Sequence, residues 1–100
     1  MSLTCVFTVP ASRDLEVILD RLAELNSVET AEQFLGRVND KCRRLTSFPG
    51  LGYRRDELSP GMRSVPVADY LIFYRAFEDR IEILRVVSGY RDLDTLFEEE

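Results

Sequence analysis

The stretch LRVVSGYRDL, Leu84 to Leu93, holds the groups best placed to do chemistry: Arg85 inside an apolar run, then Tyr90 and Arg91 just past Gly89. A guanidinium presents a planar fork of donors that matches a carboxylate or a phosphate. Near the end of a strand, such groups could bind an anionic substrate, stabilise charge developing on it, or grip an acidic partner. Arg91 is equally open to a plainer reading, as a charged side chain where a strand meets solvent. The chain has no histidine, which argues against any triad or dyad built on imidazole and against a zinc set that needs it. Its two cysteines, Cys5 and Cys42, fall in different expected elements. They imply no metal site and no cofactor. Cys5 alternates with Phe7 in TCVFTV and is expected to be a core residue.

The arginines form a pattern of their own. The net charge of −5 argues against general nucleic-acid binding, because phosphate neutralisation calls for a basic excess. From Arg37 to Arg91, however, 11 basic residues face 7 acidic ones, while the rest of the chain holds 2 basic and 11 acidic. All the basic residues but Lys41 are arginine, a bias that favours forked contacts to carboxylate or phosphate over diffuse attraction.

The elements that must position these groups can be read from the hydrophobic pattern. With 100 residues, 45% of them apolar, the chain is expected to be one domain with one core. No run approaches the roughly 18 apolar residues of a membrane helix, and the N-terminus lacks a signal sequence, so the expected location is the cytoplasm, away from membrane. LTCVFTV, Leu3 to Val9, is β-branched and predicts a strand ended by Pro10. ASRDLEVILDRLAEL predicts a helix with Leu15, Ile18, Leu22 and Leu25 on one stripe and Ser12 as its cap. After Asn26 and Ser27, a second helix is expected from about Val28 to Thr46, with Ala31, Phe34, Leu35, Val38, Cys42 and Leu45 facing inward. The two make a helical hairpin. Gly36 in the second helix weakens it or marks a close helix contact.

SFPGLGYRRDELSPGM cannot continue a helix and predicts a long ordered turn. Three antiparallel strands follow: MRSVPV, with Pro66 marking an edge or irregularity; DYLIFYRAF, expected to be central; and, after a tight EDR turn, RIEILRVVS. In that last strand Arg85 alternates in step with Ile81, Ile83 and Val87, and pairing with Asp92 or Asp69 would make it a support for the fold. The tail DTLFEEE is expected to form a single helical turn at most. The order of elements predicts an α+β fold, one face of the sheet packed on the hairpin.

The segment from LTSFPGLGYRRDELSPGMRSVPV through YLIFYR to RVVSGYRDLDTLF resembles the C-terminal half of the ParE branch of the RelE/ParE toxin superfamily. The N-terminal strand and hairpin suit that family too. The resemblance implies a small toxin of a type II toxin–antitoxin system. ParE-like toxins inhibit DNA gyrase, whereas RelE-like relatives cut messenger RNA on the ribosome, and a shared fold does not choose between them. Metal-free RNA cleavage needs a base, cations for the phosphorane charge and an acid. In the RelE-like nucleases, lysines and arginines on the strand after the helices and a tyrosine near the C-terminus serve these ends. Here that strand, Met62 to Val67, has Arg63 and no lysine, and the position matching the tyrosine, six residues past Arg91, is Phe97. Arg91 itself matches an arginine of the nuclease set. The histidine usual before the glycine is Ser88, and the small residue usual after it is Tyr90. Tyr90 would either cover the strand end or, with Arg91 beside it, supply an acid.

Three functions follow as expectations. The first is a gyrase-binding toxin without catalysis of its own, with Arg63, Arg85, Tyr90, Arg91 and Phe97 as contact residues for target or antitoxin. The second is a RelE-type endoribonuclease using Arg91 and Tyr90. The third is a degenerate, non-toxic module that still binds antitoxin. All three imply a cognate antitoxin, ParD-like or other, whose disordered C-terminal segment folds into an apolar groove on the hairpin ringed by arginines. Direct DNA contact is expected of the antitoxin, not of this chain.

Overall fold

The computed structural model describes residues 3–89. In chain order it comprises β1 (Thr4–Phe7), α1 (Val9–Leu25), α2 (Val28–Ser47), β2 (Tyr53–Arg54), β3 (Met62–Val67), β4 (Tyr70–Ala76) and β5 (Arg80–Ser88). The strands form one mixed sheet in the order β1-β5-β4-β3-β2, with β1 parallel to β5 and the other pairings antiparallel. The expected α+β architecture is present, with β4 at the centre and β1 joined to the sheet beside β5. One strand was not foreseen. β2 has two residues, too few for alternation to show, and lies within the stretch read as a turn.

The first strand ends earlier than its composition suggests. Thr8, not Ser12, caps α1: its hydroxyl accepts the Ala11 N–H at 3.2 Å, and Pro10 sits in the first turn, where its missing N–H costs nothing. Thr8 also secures β5, its N–H donating to the Ile83 carbonyl and its hydroxyl to that of Leu84, each at 3.0 Å. Ser27 caps α2 by accepting the Thr30 N–H at 3.1 Å.

The core lies between the hairpin and one face of the sheet. Ala11 and Ile18 of α1 and Phe34, Val38, Cys42 and Leu45 of α2 pack on Val65, Val67, Ile72, Tyr74, Ile81, Ile83 and Val86. The expected stripe of α2 is seen, with Leu35 at its half-buried margin, but Leu25, the last residue of α1, is exposed. Gly36 is also exposed, and a Cβ added there would meet nothing within 4 Å, so it marks no close helix contact. A smaller cluster, Met62, Phe73 and Val87 with Leu58, Leu71 and Leu84, occupies the opposite face.

A bulge in β5 divides the two faces. Tyr74 pairs with Ile83 but Phe73 pairs with Arg85, so Leu84 is the extra residue. Past it the alternation changes phase: Val86 joins Ile81 and Ile83 under the helices, while Val87 lies in the opposite cluster. The parity that grouped Arg85 with Ile81, Ile83 and Val87 is therefore corrected, since one inserted residue exchanges inside and outside along a strand.

Candidate functional site

Arg85 leaves the bulge to meet Asp14 in the first half of α1. Its Nε donates to Asp14 Oδ2 at 2.7 Å and its Nη2 to Oδ1 at 3.1 Å, a two-pronged pair whose side chains are 15% and 18% exposed. Asp14 Oδ2 also accepts the Val86 N–H at 3.0 Å. β1 stops opposite Ile83, so the β5 backbone beyond that point would otherwise lack a strand partner on this side. The helix carboxylate takes that place. The described carboxylate partner of Arg85 is thus Asp14, contributed by an element distant in sequence, in place of the expected Asp69. Asp92 lies outside the described residues, as do Tyr90, Arg91, Phe97 and the stretch DTLFEEE, expected to form a helical turn. Asp69 instead offers its carbonyl to the Gly89 N–H at 2.9 Å, fixing the point where the chain leaves β5.

Arg63 is engaged differently. From β3 its Nη1 donates to the Gly52 carbonyl at 2.9 Å and to that of Gly50 at 3.4 Å. The Tyr74 ring, fully buried in β4, reaches the same loop: its hydroxyl accepts the Gly52 N–H at 2.8 Å and donates to the Pro49 carbonyl at 2.8 Å. Burial raises the pKa of this hydroxyl above its ordinary value of 10.0, keeping it a donor. Gly52 is required here, because a Cβ would lie 2.7 Å from both the Tyr74 ring and the Ser64 carbonyl. Farther along, Asp56 accepts the Gly61 N–H at 2.9 Å, a bond that lowers its carboxyl pKa, and Arg75 Nη2 donates to Ser59 Oγ at 2.7 Å. The turn between α2 and β3 is held by side chains from the sheet.

Two clefts flank the hairpin where it meets the sheet. Along α1, a cleft of about 380 Å³ is lined by Asp14, Val17, Arg21, Tyr70, Val86 and Ser88. Along α2, a basic one of about 240 Å³ lies between Arg37, Lys41 and Arg44 on the helix and Pro66 and Val67 on β3. It continues past Lys41 and Arg44 into a recess of about 170 Å³ beside Leu51, Gly52 and Tyr53. Tyr53 is 77% and Phe48 62% exposed, so the loop presents aromatic surface beside this basic groove. Pro66 has no N–H to offer at the edge of β3 left uncovered by the short β2.

The structure separates the two expected arginines it describes. Arg63 serves the turn at one end of the sheet and Arg85 joins β5 to α1, so they do not converge on one point. Sequence reasoning did not single out Asp14, Thr8 or Tyr74. For Asp14 a signal existed, since a carboxylate three residues after Ala11 and four before Ile18 shares their helix face. Among the described residues, no group of three or more His, Cys, Asp or Glu is arranged to hold a metal ion. No described helix is long and apolar enough to cross a membrane.

Comparison with known proteins adds to this geometry. Residues 5–93 match a family model described as the ParE toxin of the type II toxin–antitoxin system parDE. The chain is 35% identical to Toxin ParE3 of Caulobacter vibrioides over 86% of each chain. It is 30% identical to Toxin ParE1 of Mycobacterium tuberculosis over 94% of this chain and 97% of the relative. Among solved structures, a chain of the chromosomal ParDE toxin–antitoxin system from P. aeruginosa superposes with a TM-score of 0.72 at 23% identity, covering 86% of this chain and 95% of that one. A YoeB/ParE toxin from Agrobacterium tumefaciens gives 0.60 at 21%, covering 88% and 100%. At those identities the structural likeness speaks to the fold.

Proposed function

The chain belongs to the ParE toxin family of type II toxin–antitoxin systems, and from that membership we propose that it arrests growth by binding and inhibiting DNA gyrase, and that a cognate antitoxin neutralises it. The observation that carries the choice of a binder over an RNA-cutting enzyme is how the described arginines are used. Arg63 is committed to the Gly50 and Gly52 carbonyls and Arg85 to Asp14. An endoribonuclease would need such cations converging on one phosphate, with a base and an acid beside them. The chain has no imidazole to supply either role.

The antitoxin is a protein with a flexible acidic segment carrying apolar side chains. Its place is the groove along α2, where Arg37, Lys41 and Arg44 would meet carboxylates and Leu51 and Tyr53 would cover apolar residues. Arg91, Tyr90 and Phe97 remain contact residues for the target or the antitoxin in this reading.

A supercoiling assay with purified, folded protein tests the proposal. Inhibition that is reversed by adding the antitoxin is expected. Unaltered gyrase activity together with cleavage of ribosome-bound messenger RNA on expression would overturn it in favour of the nuclease; no growth arrest at all would leave a module that only binds antitoxin.

A further inference from the structure

The sheet has a second face, turned away from the hairpin. Phe73, Val87 and Met62 form its centre and are 0%, 2% and 4% exposed, with Leu58, Leu71 and Leu84 packed against them. The two helices pack on the other face. Neighbours within a sheet shield the flanks of a side chain, but its top is closed off only by a layer stacked on the sheet. Leu58 supplies such a layer at one end, since its loop is tied there by the Arg55 N–H to the Met62 carbonyl at 2.7 Å. Val87 lies at the other end, paired with Leu71 and two residues before Gly89. We propose that the C-terminal segment of this chain, Tyr90 to Glu100, folds back from Gly89 and covers this face, with Leu93 and Leu96 as its anchors.

Position, spacing, length and charge all fit this occupant. The Gly89 N–H is held by the Asp69 carbonyl at 2.9 Å, so the segment starts beside Val87. Leu93 and Leu96 stand at the i, i+3 spacing that puts both on one side of a helical turn. Phe97, next in line, stands at the rim and stays within reach of a partner. Leu84 is five residues back along β5 from Gly89, about 17 Å at the rise of a strand. The segment from Tyr90 to Leu96 spans about 10 Å as helix and up to about 25 Å extended, so it reaches that far. There a cleft of about 670 Å³, bordered by Pro10, Leu58, Met62, Arg75 and Leu84, receives Leu96. Asp92, Asp94 and Glu98 to Glu100 make the segment acidic. Arg75 meets it at the cleft, its Nη2 bound only to neutral acceptors, Ser59 Oγ at 2.7 Å and the Pro60 carbonyl at 3.1 Å. A segment tethered at Gly89 also competes with any second copy at an effective concentration on the order of millimolar. Tyr90 and Arg91 then lie in a short link held at both ends, by Gly89 and by Leu93.

The test is NMR on the full chain with Leu, Val and Met methyl groups labelled. Nuclear Overhauser cross-peaks are expected from the Leu93 methyls to Val87 and the Phe73 ring, and from the Leu96 methyls to Leu84 or Met62. Leu96→Ser should erase its own cross-peaks and shift the Leu84 and Met62 methyl resonances, while those of Val38, under the hairpin, keep their positions. A wild-type chain whose Leu93 and Leu96 methyls show no cross-peak to this face overturns the proposal. So do cross-peaks that arise only between differently labelled copies in a mixed sample, which would give the face to a second copy. The wild-type spectrum decides the matter even where Leu96→Ser fails to fold, and it is independent of whether gyrase is the target.

Discussion

Asp14 receives three donors, two from the Arg85 guanidinium and one from the Val86 backbone. Removing it leaves a largely shielded cation and an orphaned N–H, so Asp14→Ala should destabilise the fold by about 2–4 kcal/mol in urea unfolding. Asp14→Asn keeps an acceptor for Val86 and should cost less. Tyr74 offers a second test. Tyr74→Phe strands the Gly52 N–H and the Pro49 carbonyl and should cost about 1–3 kcal/mol. The pH dependence has a definite sign. Because the folded pKa of Tyr74 lies above its unfolded value, its contribution is complete below pH 10 and is lost as pH rises through the raised folded pKa. Unfolding followed from neutral pH to above 10 should show this alkaline loss in the wild type and less of it in Tyr74→Phe.

At the scale of elements, two backbone positions oppose the structures they occupy. Gly36 lies in an open helical position, so Gly36→Ala should stabilise by about 0.5–1 kcal/mol, read as a shift in the urea midpoint at constant m. Ala68 holds φ at +53° in the two-residue turn between β3 and β4, a conformation that suits glycine. Ala68→Gly should relieve strain and gain roughly 1 kcal/mol by the same measurement. The bulge in β5 acts at this scale too. By inserting Leu84 it re-aims the end of the strand, so that Val86 completes the core and its N–H meets Asp14.

At the scale of the whole molecule, the uneven charge along the chain becomes an uneven surface. The basic C-terminal half of α2 lines one groove with Arg37, Lys41 and Arg44, while Asp14 and Arg21 border the cleft beside α1. Under the proposed reading, Arg37→Glu combined with Arg44→Glu should weaken antitoxin binding tenfold or more, an order-of-magnitude estimate from charge pairing at a groove. Titration calorimetry at two salt concentrations would measure it, with a shallower salt dependence expected in the variant. Much of this molecule was legible beforehand: β3 and β5 were read with their observed bounds, and the stripe of α2 and the central place of β4 followed from periodicity, because each is a local pattern repeated over several turns or pleats. The cap at Thr8, the two-residue β2, the phase change at Leu84 and the partner of Arg85 were not legible. The sequence by itself determined the elements, their amphipathic faces and the family they compose. Tertiary structure decided which arginines are committed and that a carboxylate of α1 completes β5, because each depends on groups separated along the chain and brought together only when the hairpin packs on the sheet.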